Sequence, residues 1–224
     1  MGKLIVIESG VDGSGKQTQT EKIYNRLIKE NYKIKKVQFP NYESDASSLI
    51  KMYLNGDFGK NANSVNPYTA STFYAVDRYA SYKKDWENFY NEGGIILSDR
   101  YTTSNMIHQG SKISHIAEKI EYLDWLNDLE FNKIKLPKPD LVFFLDLPLE
   151  YSLELTKNRK NKINGDIEKD IHEKDIEYLK DTYENGCFLA EKYKWEKISC
   201  ILNGKLREID DIHNEIYLKL KKYL

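Results

Sequence analysis

The sequence LIVIESGVDGSGK, from Leu4 to Lys16, joins an apolar β-branched run to a glycine-rich turn, and a helical pattern follows it. The turn fits the pattern G-x-x-x-x-G-K, in which glycines let backbone N–H groups converge on phosphate oxygens and Lys16 adds a point charge. The helix that follows adds the positive end of its dipole. The segment therefore predicts a nucleotide phosphate loop; a purely structural glycine turn is the alternative.

The residue after Lys16 departs from this pattern. Ser or Thr usually stands there to place a hydroxyl on Mg²⁺, but this chain has Gln17. Thr18 does not replace it directly, because one helical residue rotates a side chain by about 100°. The metal is then held through water, through the Gln17 amide oxygen or by another side chain. Asp99, directly after a predicted strand, is the candidate; a strand-end cap is its alternative role.

Strand and helix patterns alternate along the whole chain. Each apolar strand is followed by a segment with helical spacing, which predicts parallel strands joined by right-handed crossovers. We therefore expect a three-layer α/β sandwich: a five-stranded parallel sheet with helices on both faces and ligands at the carboxyl ends of the strands. The predicted strands cover residues 4–7, 33–38, 95–97, 141–145 and 198–202. The first predicted helix begins at Lys16. Further helices are predicted over residues 47–54, 69–90, 116–131, 149–159 and 175–193, and a last helix is predicted around residues 209–220.

Composition excludes several other classes of protein. The 224 residues carry 34 Lys and Arg against 35 Asp and Glu, and this balance argues against a general binder of nucleic acid. The longest apolar runs fall far short of the roughly 20 residues that cross a bilayer, and no secretory signal is expected. Two cysteines without metal or disulfide spacing predict a cytoplasmic protein, and the four histidines lack zinc-site spacing.

Further motifs at the predicted element ends give the chain a family resemblance. They are Phe39-Pro40 after the second strand, Asp77-Arg78 in the long helix, Asp99-Arg100-Tyr101 after the third strand and Leu136-Pro137-Lys138-Pro139-Asp140 before the fourth. Together with the phosphate loop, and in this order, they make the chain resemble thymidylate kinases over nearly its whole length. The resemblance implies one domain over residues 1–224, with the P-loop NTPase fold of nucleoside monophosphate kinases. It also implies ATP- and Mg²⁺-dependent phosphorylation of dTMP to dTDP, and a homodimer.

The resemblance also implies roles for individual residues. Residues expected to bind ATP are Gly10, Val11, Asp12, Gly13, Ser14, Gly15, Lys16, Gln17 and Thr18. Residues expected to bind the acceptor nucleotide are Asp12, Phe39, Tyr74, Arg78, Arg100, Asn105 and His108. Tyr74 would stack on thymine, and Arg78, four residues later on the same helix face, would read its edge. Tyr74 as a core aromatic, Arg78 on a solvated helix face and Phe39 as an ordinary buried side chain are the alternatives.

Two departures from the family concern the acceptor. Asn41, Tyr42 and Glu43 follow Pro40, where some members place an arginine for the acceptor phosphate. His108 stands where many members have a tyrosine that presses on C2′ of deoxyribose. Both departures bear on the choice between deoxy- and ribonucleotides.

A polar stretch at about residues 157–172 is expected to form a mobile lid. The family places its catalytic arginine either in the phosphate loop or in the lid, and this loop has Ser14 and no arginine. Arg159, with Lys157, is therefore expected to join Lys16, Arg100 and Asp99 in catalysis; a solvated basic helix end is the alternative.

Three functions follow from these patterns. The first is phosphorylation of a pyrimidine deoxynucleoside monophosphate, with dTMP as the expected acceptor. The second is the same reaction on another nucleoside monophosphate. The third is a nucleotide-binding protein with weak or no turnover, which Gln17 would favour.

Overall fold

A computed structural model describes residues 1–157 and 175–224 of the chain. The strands of the main sheet are β1 (Lys3–Glu8), β2 (Ile34–Gln38), β3 (Ile95–Asp99), β4 (Leu141–Asp146) and β5 (Glu196–Ser199). They are parallel and lie in the order β2-β3-β1-β4-β5, as the alternation of strands and helices predicts. Ile7 of β1 pairs with Asp99 of β3, so the chain leaves both strands at neighbouring points of the same sheet edge.

Helices cover both faces of the sheet and bury alternate residues of β1. Ile5 and Ile7 pack in a core with helices α1 (Lys16–Lys29) and α9 (Ile209–Leu220), whereas Leu4 and Val6 pack on the opposite face. A strand buried on both faces reads as a continuous apolar run, which is the pattern in the sequence. The described helices are α1 (Lys16–Lys29), α2 (Ser48–Asn55), α3 (Pro67–Ser81), α4 (Glu87–Asn91), α5 (Thr102–His108), α6 (Ile116–Asn127), α7 (Leu149–Thr156), α8 (Ile176–Lys192) and α9 (Ile209–Leu220).

The predicted long helix over residues 69–90 is interrupted. A π-helical turn, Tyr82–Trp86, separates α3 from α4. Tyr82, Trp86 and Tyr90 all lie in the core although they are four residues apart, a spacing that drifts by about 40° per step in a regular α-helix. The wider π turn corrects this drift, and it keeps all three rings on one face.

The predicted fifth strand, over residues 198–202, is also divided. β5 ends at Ser199, and β6 (Ile201–Leu202) pairs antiparallel with β7 (Lys205–Leu206). Asn203 and Gly204, with φ of 51° and 73°, make the turn between them. Asn-Gly is a strong hairpin signal.

Candidate active site

The phosphate loop follows β1 and ends at the first residue of α1. Gly13 and Gly15 have φ of 74° and 84°, a left-handed conformation that glycine adopts without a Cβ penalty. The Lys16 ammonium lies inside the loop, where it donates to the Val11 carbonyl oxygen at 2.9 Å. Burial, with the nearby Arg100 charge, lowers the pKa of Lys16 to about 8, although Asp12, Glu8 and Asp99 oppose the shift.

Two helices fix the position of this loop. The Ser152 hydroxyl of α7 donates to the Asp12 carbonyl oxygen at 2.7 Å. A Cβ added at Gly10 would lie 3.0 Å from the Tyr183 Cα of α8, and one added at Gly186 would lie 3.3 Å from the Gly10 Cα. Glycine at positions 10 and 186 therefore lets α8 lie directly against the loop.

Arg100 follows β3 and extends toward the phosphate loop. Its backbone has a φ of 67°, unusual for a side chain with a Cβ, and its amide donates to the Ile7 carbonyl oxygen. The guanidinium contacts Asp12 Oδ1 and His108 Nε2, each at 2.9 Å. Burial alone would lower the pKa of Arg100, but the Asp12, Glu8 and Asp99 carboxylates raise it above the usual arginine value.

Glu8, the last residue of β1, holds the start of α5 beside this arginine. Its carboxylate is fully buried, and it accepts hydrogen bonds from the hydroxyls of Thr103 and Ser104 at 2.8 and 2.7 Å. The Arg100 Nη1 atom lies 3.7 Å away. Glu8 was not predicted as a functional residue, although a carboxylate that ends an apolar strand just before a phosphate loop is a recognisable signal in the sequence.

Arg78 forms a buried ion pair with a residue that sequence reasoning also missed. Its Nε and Nη2 atoms donate to the two carboxylate oxygens of Glu130 at 2.8 and 2.5 Å, and both side chains are at most 1% exposed. The Thr102 hydroxyl donates to the same carboxylate at 2.7 Å. Burial opposes the charge of Arg78, but Glu130 raises the pKa of Arg78. Glu130 lies in a π-helical turn, Asp128–Lys133, that extends α6.

One pocket brings together the residues predicted for the acceptor. Its wall includes all seven predicted acceptor residues together with Asp99: Asp12, Phe39, Tyr74, Arg78, Asp99, Arg100, Asn105 and His108. Gly10 and Val11, predicted to bind ATP, also line this pocket, whereas Tyr178 and Leu179 of α8 were not predicted from the sequence. The Tyr178 hydroxyl of α8 donates to the His108 carbonyl oxygen at 2.9 Å, so α8 closes one side of the pocket.

Three further side chains that line the pocket are held by contacts with their neighbours. The Asn105 amide nitrogen donates to the Ser71 carbonyl oxygen at 3.1 Å. Phe39 precedes a cis peptide bond to Pro40 and packs against Tyr101 with ring centroids 5.9 Å apart. Tyr74 lies beside the cluster of Ile50, Tyr53, Leu54 and Ala70. The pocket is thus lined by both aromatic and polar side chains.

The predicted metal and lid residues are placed differently. Asp99 lines the pocket and is 8% exposed, whereas Gln17 and Thr18 are exposed at the start of α1. Within residues 1–157 and 175–224, no cluster of three or more His, Cys, Asp or Glu side chains could hold a metal ion unaided. Lys157 is exposed at the end of α7, whereas Arg159 and the rest of the predicted lid lie outside the described residues. None of the described helices is both long and apolar enough to span a bilayer.

Comparisons with known proteins agree on one family. A family model described as thymidylate kinase matches residues 7–216. A thymidylate kinase of Prochlorococcus marinus (strain NATL2A) is 31% identical over 225 residues, which cover 98% of each chain. A thymidylate kinase of Mycobacterium tuberculosis (strain H37Rv) is 30% identical over 189 residues, which cover 84% of each chain.

Solved structures show a similar fold. The thymidylate kinase of Candida albicans superposes with a TM-score of 0.71 at 22% identity, covering 99% of this chain and 92% of that one. The thymidylate kinase of Ehrlichia chaffeensis superposes with a TM-score of 0.65 at 18% identity, covering 98% of both chains. At these identities the structural likeness concerns the fold, which is that of P-loop NTPases.

Proposed function

This chain belongs to the thymidylate kinase family and phosphorylates dTMP with ATP as the donor, and we propose that the pocket beside its phosphate loop is the dTMP site. The observation that carries this assignment is the distribution of polar groups in that pocket. Arg100 contacts Asp12 of the phosphate loop, whereas Tyr74 and Arg78 of α3 and Asn105 of α5 line the rest of the pocket. A nucleoside monophosphate has the same division between an anionic end and a flat, hydrogen-bonding end.

The base end of the pocket suits thymine. The Tyr74 ring supplies a face for stacking, and Arg78 supplies N–H donors for the carbonyl oxygens of the base. Asn105 carries both a donor and an acceptor, the combination that an imide edge such as thymine N3–H and O4 requires. Phe39 lines the same pocket and would contact the base from the side.

The phosphate end of the pocket supports transfer from ATP. The backbone of residues 10–18 and the Lys16 ammonium would hold the donor phosphates, and Arg100 would hold the acceptor phosphate. An acceptor oxygen attacks the γ-phosphorus, the bond from that phosphorus to the β,γ-bridging oxygen breaks, and ADP leaves with the bonding electron pair. The reaction needs no covalent enzyme intermediate, because positioning and charge stabilisation supply the catalysis.

The residues around the phosphate loop also fit Mg²⁺. This ion usually binds one or two carboxylates together with nucleotide phosphates and water, so it does not need an all-protein cage. Asp99 supplies a nearly buried carboxylate in the pocket, and its charge acts on both Lys16 and Arg100. Asp99 would hold the ion together with phosphate oxygens, with Gln17 as a further ligand. Bound there, Mg²⁺ would neutralise charge that develops on the transferred phosphoryl group.

Arg159 completes the proposed catalytic set by family resemblance. Its role is charge stabilisation during transfer, assisted by Lys157, and this role predicts a specific kinetic pattern. Arg159→Ala should lower kcat far more than it weakens dTMP binding. Equal losses in both quantities would contradict the assignment.

We also propose that the enzyme is a homodimer in the cytosol. Val76 and Tyr79 of α3 are 53% and 43% exposed, and Ile116 and Ile120 of the adjoining α6 are 55% and 37% exposed. A second copy of the same helices could cover this apolar face. Light scattering after gel filtration would measure the mass, and Val76→Lys should shift a dimer toward monomer. A cytosolic location is consistent with Cys187 and Cys200, which are both unpaired.

The central experiment is an ADP-release assay with MgATP and a panel of acceptors. The panel contains dTMP, dUMP, dCMP, dGMP, dAMP and their ribonucleotide counterparts. We expect turnover to be fastest with dTMP and to fall when Arg78 or Asn105 is replaced. A different preferred acceptor would contradict the proposed base contacts, and the ribonucleotides report whether His108 admits a 2′-hydroxyl.

A further inference from the structure

We propose that Glu130 is the positioning residue for base recognition: it orients Arg78 so that the free N–H groups of the guanidinium select a carbonyl oxygen on the bound pyrimidine. The proposal rests on the proposed role of Arg78 at the dTMP site. It assigns specificity to a carboxylate that touches no substrate and is not among the residues that line the pocket.

The Arg78–Glu130 pair engages two of the N–H groups of the guanidinium. A guanidinium carries five N–H groups. Within the described part of the chain, one on Nε and one on Nη2 are bound by Glu130, and one on Nη1 points to the Tyr101 carbonyl oxygen at 3.4 Å. One N–H on Nη1 and one on Nη2 remain for a ligand. Both are donors, so they favour a carbonyl oxygen over an amino group at the base edge.

The Glu130 carboxylate is itself held in place by its surroundings. Glu130 is fully buried, and it receives a third hydrogen bond from Thr102, which is also fully buried. The π-helical turn that carries Glu130 is a local departure from the regular helix, and such turns occur frequently at functional sites. Glu130 therefore cannot follow Arg78 to a new position without breaking a buried bond, and the pair keeps one orientation.

Glu130 also connects Arg78 to the helix that carries Asn105. Thr102 begins α5, two residues after Arg100, and α5 also carries Asn105. Glu130 thus bonds to the helix that holds Asn105 and to the arginine that would read the base. One buried carboxylate sets the distance between two recognition groups that come from different parts of the chain.

The test is a double-mutant cycle on Arg78 and Glu130 with two acceptors. Cytosine has an amino group where thymine has its O4 carbonyl oxygen, so dCMP probes the orientation of the donors. For Glu130→Gln we expect the KM for dTMP to rise about tenfold or more, with kcat and the KM for ATP within about threefold. The preference for dTMP over dCMP should fall by a similar factor. In an Arg78→Met background the same change should have little further effect, because Glu130 acts through Arg78.

Controls separate this role from a general loss of structure. Glu191→Gln removes one exposed carboxylate from α8 and should leave all constants unchanged. Where Glu130→Gln does not fold, Glu130→Asp keeps the charge but shortens the side chain, and it should give an intermediate rise in the KM for dTMP. Melting temperatures of all variants are measured without ligand.

Three outcomes overturn the proposal. They are equal losses for dTMP, dCMP and ATP in Glu130→Gln, an unchanged KM for dTMP in both Glu130 variants, and an effect that persists in full in the Arg78→Met background. An unchanged KM for dTMP in Arg78→Met alone would instead contradict the proposed base contact. The wild-type panel tests the dTMP assignment separately. The dTMP assignment, the Arg78 base contact and the role of Glu130 are therefore each contradicted by a different result.

Discussion

Arg100 Nη2 lies 2.9 Å from Asp12 Oδ1, and this ion pair joins the end of β3 to the phosphate loop. Asp12 is partly exposed, with 32% of its side chain accessible, whereas Arg100 is 16% exposed. The pair therefore lies at the boundary between the two proposed nucleotide sites. An acceptor phosphate that binds Arg100 would compete with Asp12 for the guanidinium, so the contact places Arg100 before the substrate arrives.

Replacing Arg100 should affect the chemical step strongly. Arg100→Met removes a cation next to the transferred group while keeping an unbranched side chain. Because the loss of one transition-state donor typically costs about 10²–10³ in kcat, we expect a fall of this size. Steady-state kinetics with dTMP and MgATP measure it. A fall in dTMP affinity with an unchanged kcat would show that Arg100 only binds the acceptor.

The lowered pKa of Lys16 predicts a pH dependence of ATP binding. Above its pKa of about 8, the free enzyme loses the charge that faces the donor phosphates. The dissociation constant of ATP should then rise with pH, by up to about tenfold per unit, and binding should take up a proton. Calorimetry between pH 6.5 and 9.5 in buffers of different ionisation enthalpy measures both effects. A dissociation constant that stays flat to pH 9.5 would contradict the prediction.

The lowered pKa of Lys16 makes folding stability rise with pH, whereas it makes the affinity for ATP fall. The folded-state pKa of Lys16 lies below its ordinary value of 10.5, so the unfolded chain binds more protons between pH 8 and that value. Lys16 therefore costs stability at neutral pH, and this cost is relieved as the pH rises. Lys16→Met should therefore have a higher free energy of unfolding than the wild type at pH 7. This difference between variant and wild type should be smaller at pH 9.5. Urea titrations at the two pH values give the difference, and an equal difference at both would contradict the shift.

Stacking on Tyr74 predicts a contrast between two substitutions. Tyr74→Leu removes the ring, whose stacking contributes about 0.5–1.5 kcal/mol, and the KM for dTMP should rise roughly two- to tenfold. Tyr74→Phe keeps the ring and should leave the KM close to that of the wild type. Equal losses in the two variants would assign the effect to the hydroxyl group instead of the ring.

Asp99 as a metal ligand predicts a changed requirement for Mg²⁺. Asp99→Asn keeps the size of the side chain but removes its charge, so the Mg²⁺ concentration for half-maximal activity should rise at least several-fold at fixed ATP. The matched control is Asp57→Asn, which changes an exposed side chain far from the phosphate loop in the sequence. An unchanged Mg²⁺ dependence in Asp99→Asn would limit Asp99 to the shaping of the strand end.

Gly186 predicts that a good helix former can destabilise this helix. Alanine usually gains about 0.5–1 kcal/mol over glycine in a helix interior. Here the new Cβ would lie 3.0 Å from the buried Phe144 ring and 3.3 Å from the Gly10 Cα. Because overpacking typically costs about 1–3 kcal/mol, Gly186→Ala should lower the free energy of unfolding by about 1 kcal/mol and weaken ATP binding. A higher melting temperature with normal ATP binding would show that the phosphate loop moves to accommodate the new Cβ without a loss of stability.

Local patterns in the sequence predicted the layers of the fold and the phosphate loop, whereas the acceptor residues of the pocket followed from the resemblance to thymidylate kinases. The β1 apolar run and the glycines after it are contiguous, so they specify the phosphate loop directly. Asp99 and Arg100 follow an apolar strand, and parallel strands bring such positions to one sheet edge. This common edge predicted that Asp99 lies near the phosphate loop, whereas the family resemblance predicted that Asp12 and Arg100 both bind the acceptor.

Other features depend on tertiary contacts that periodicity does not reveal. The π turn at Tyr82–Trp86 exists because three aromatic rings pack on one face, and helical spacing alone gave a continuous helix. Helix α5 is seven residues long, too short for a period to emerge. Glu130 acquires its role through Arg78, which lies 52 residues away in the chain. The Asn203-Gly204 turn differs from these features, because the Asn-Gly dipeptide by itself indicates a hairpin in the sequence.

Helix α8 has a consequence for how the two substrates influence each other. Gly186 lies against Gly10 of the phosphate loop, and Tyr178, about 12 Å earlier on the same helix, bonds to His108 in the acceptor pocket. A single stiff element thus touches both nucleotide sites. If ATP binding shifts α8, the affinity for dTMP changes by some factor, and thermodynamic linkage requires dTMP to change the affinity for ATP by the same factor. The helix would then act as a cooperative link that makes each nucleotide an effector of the other.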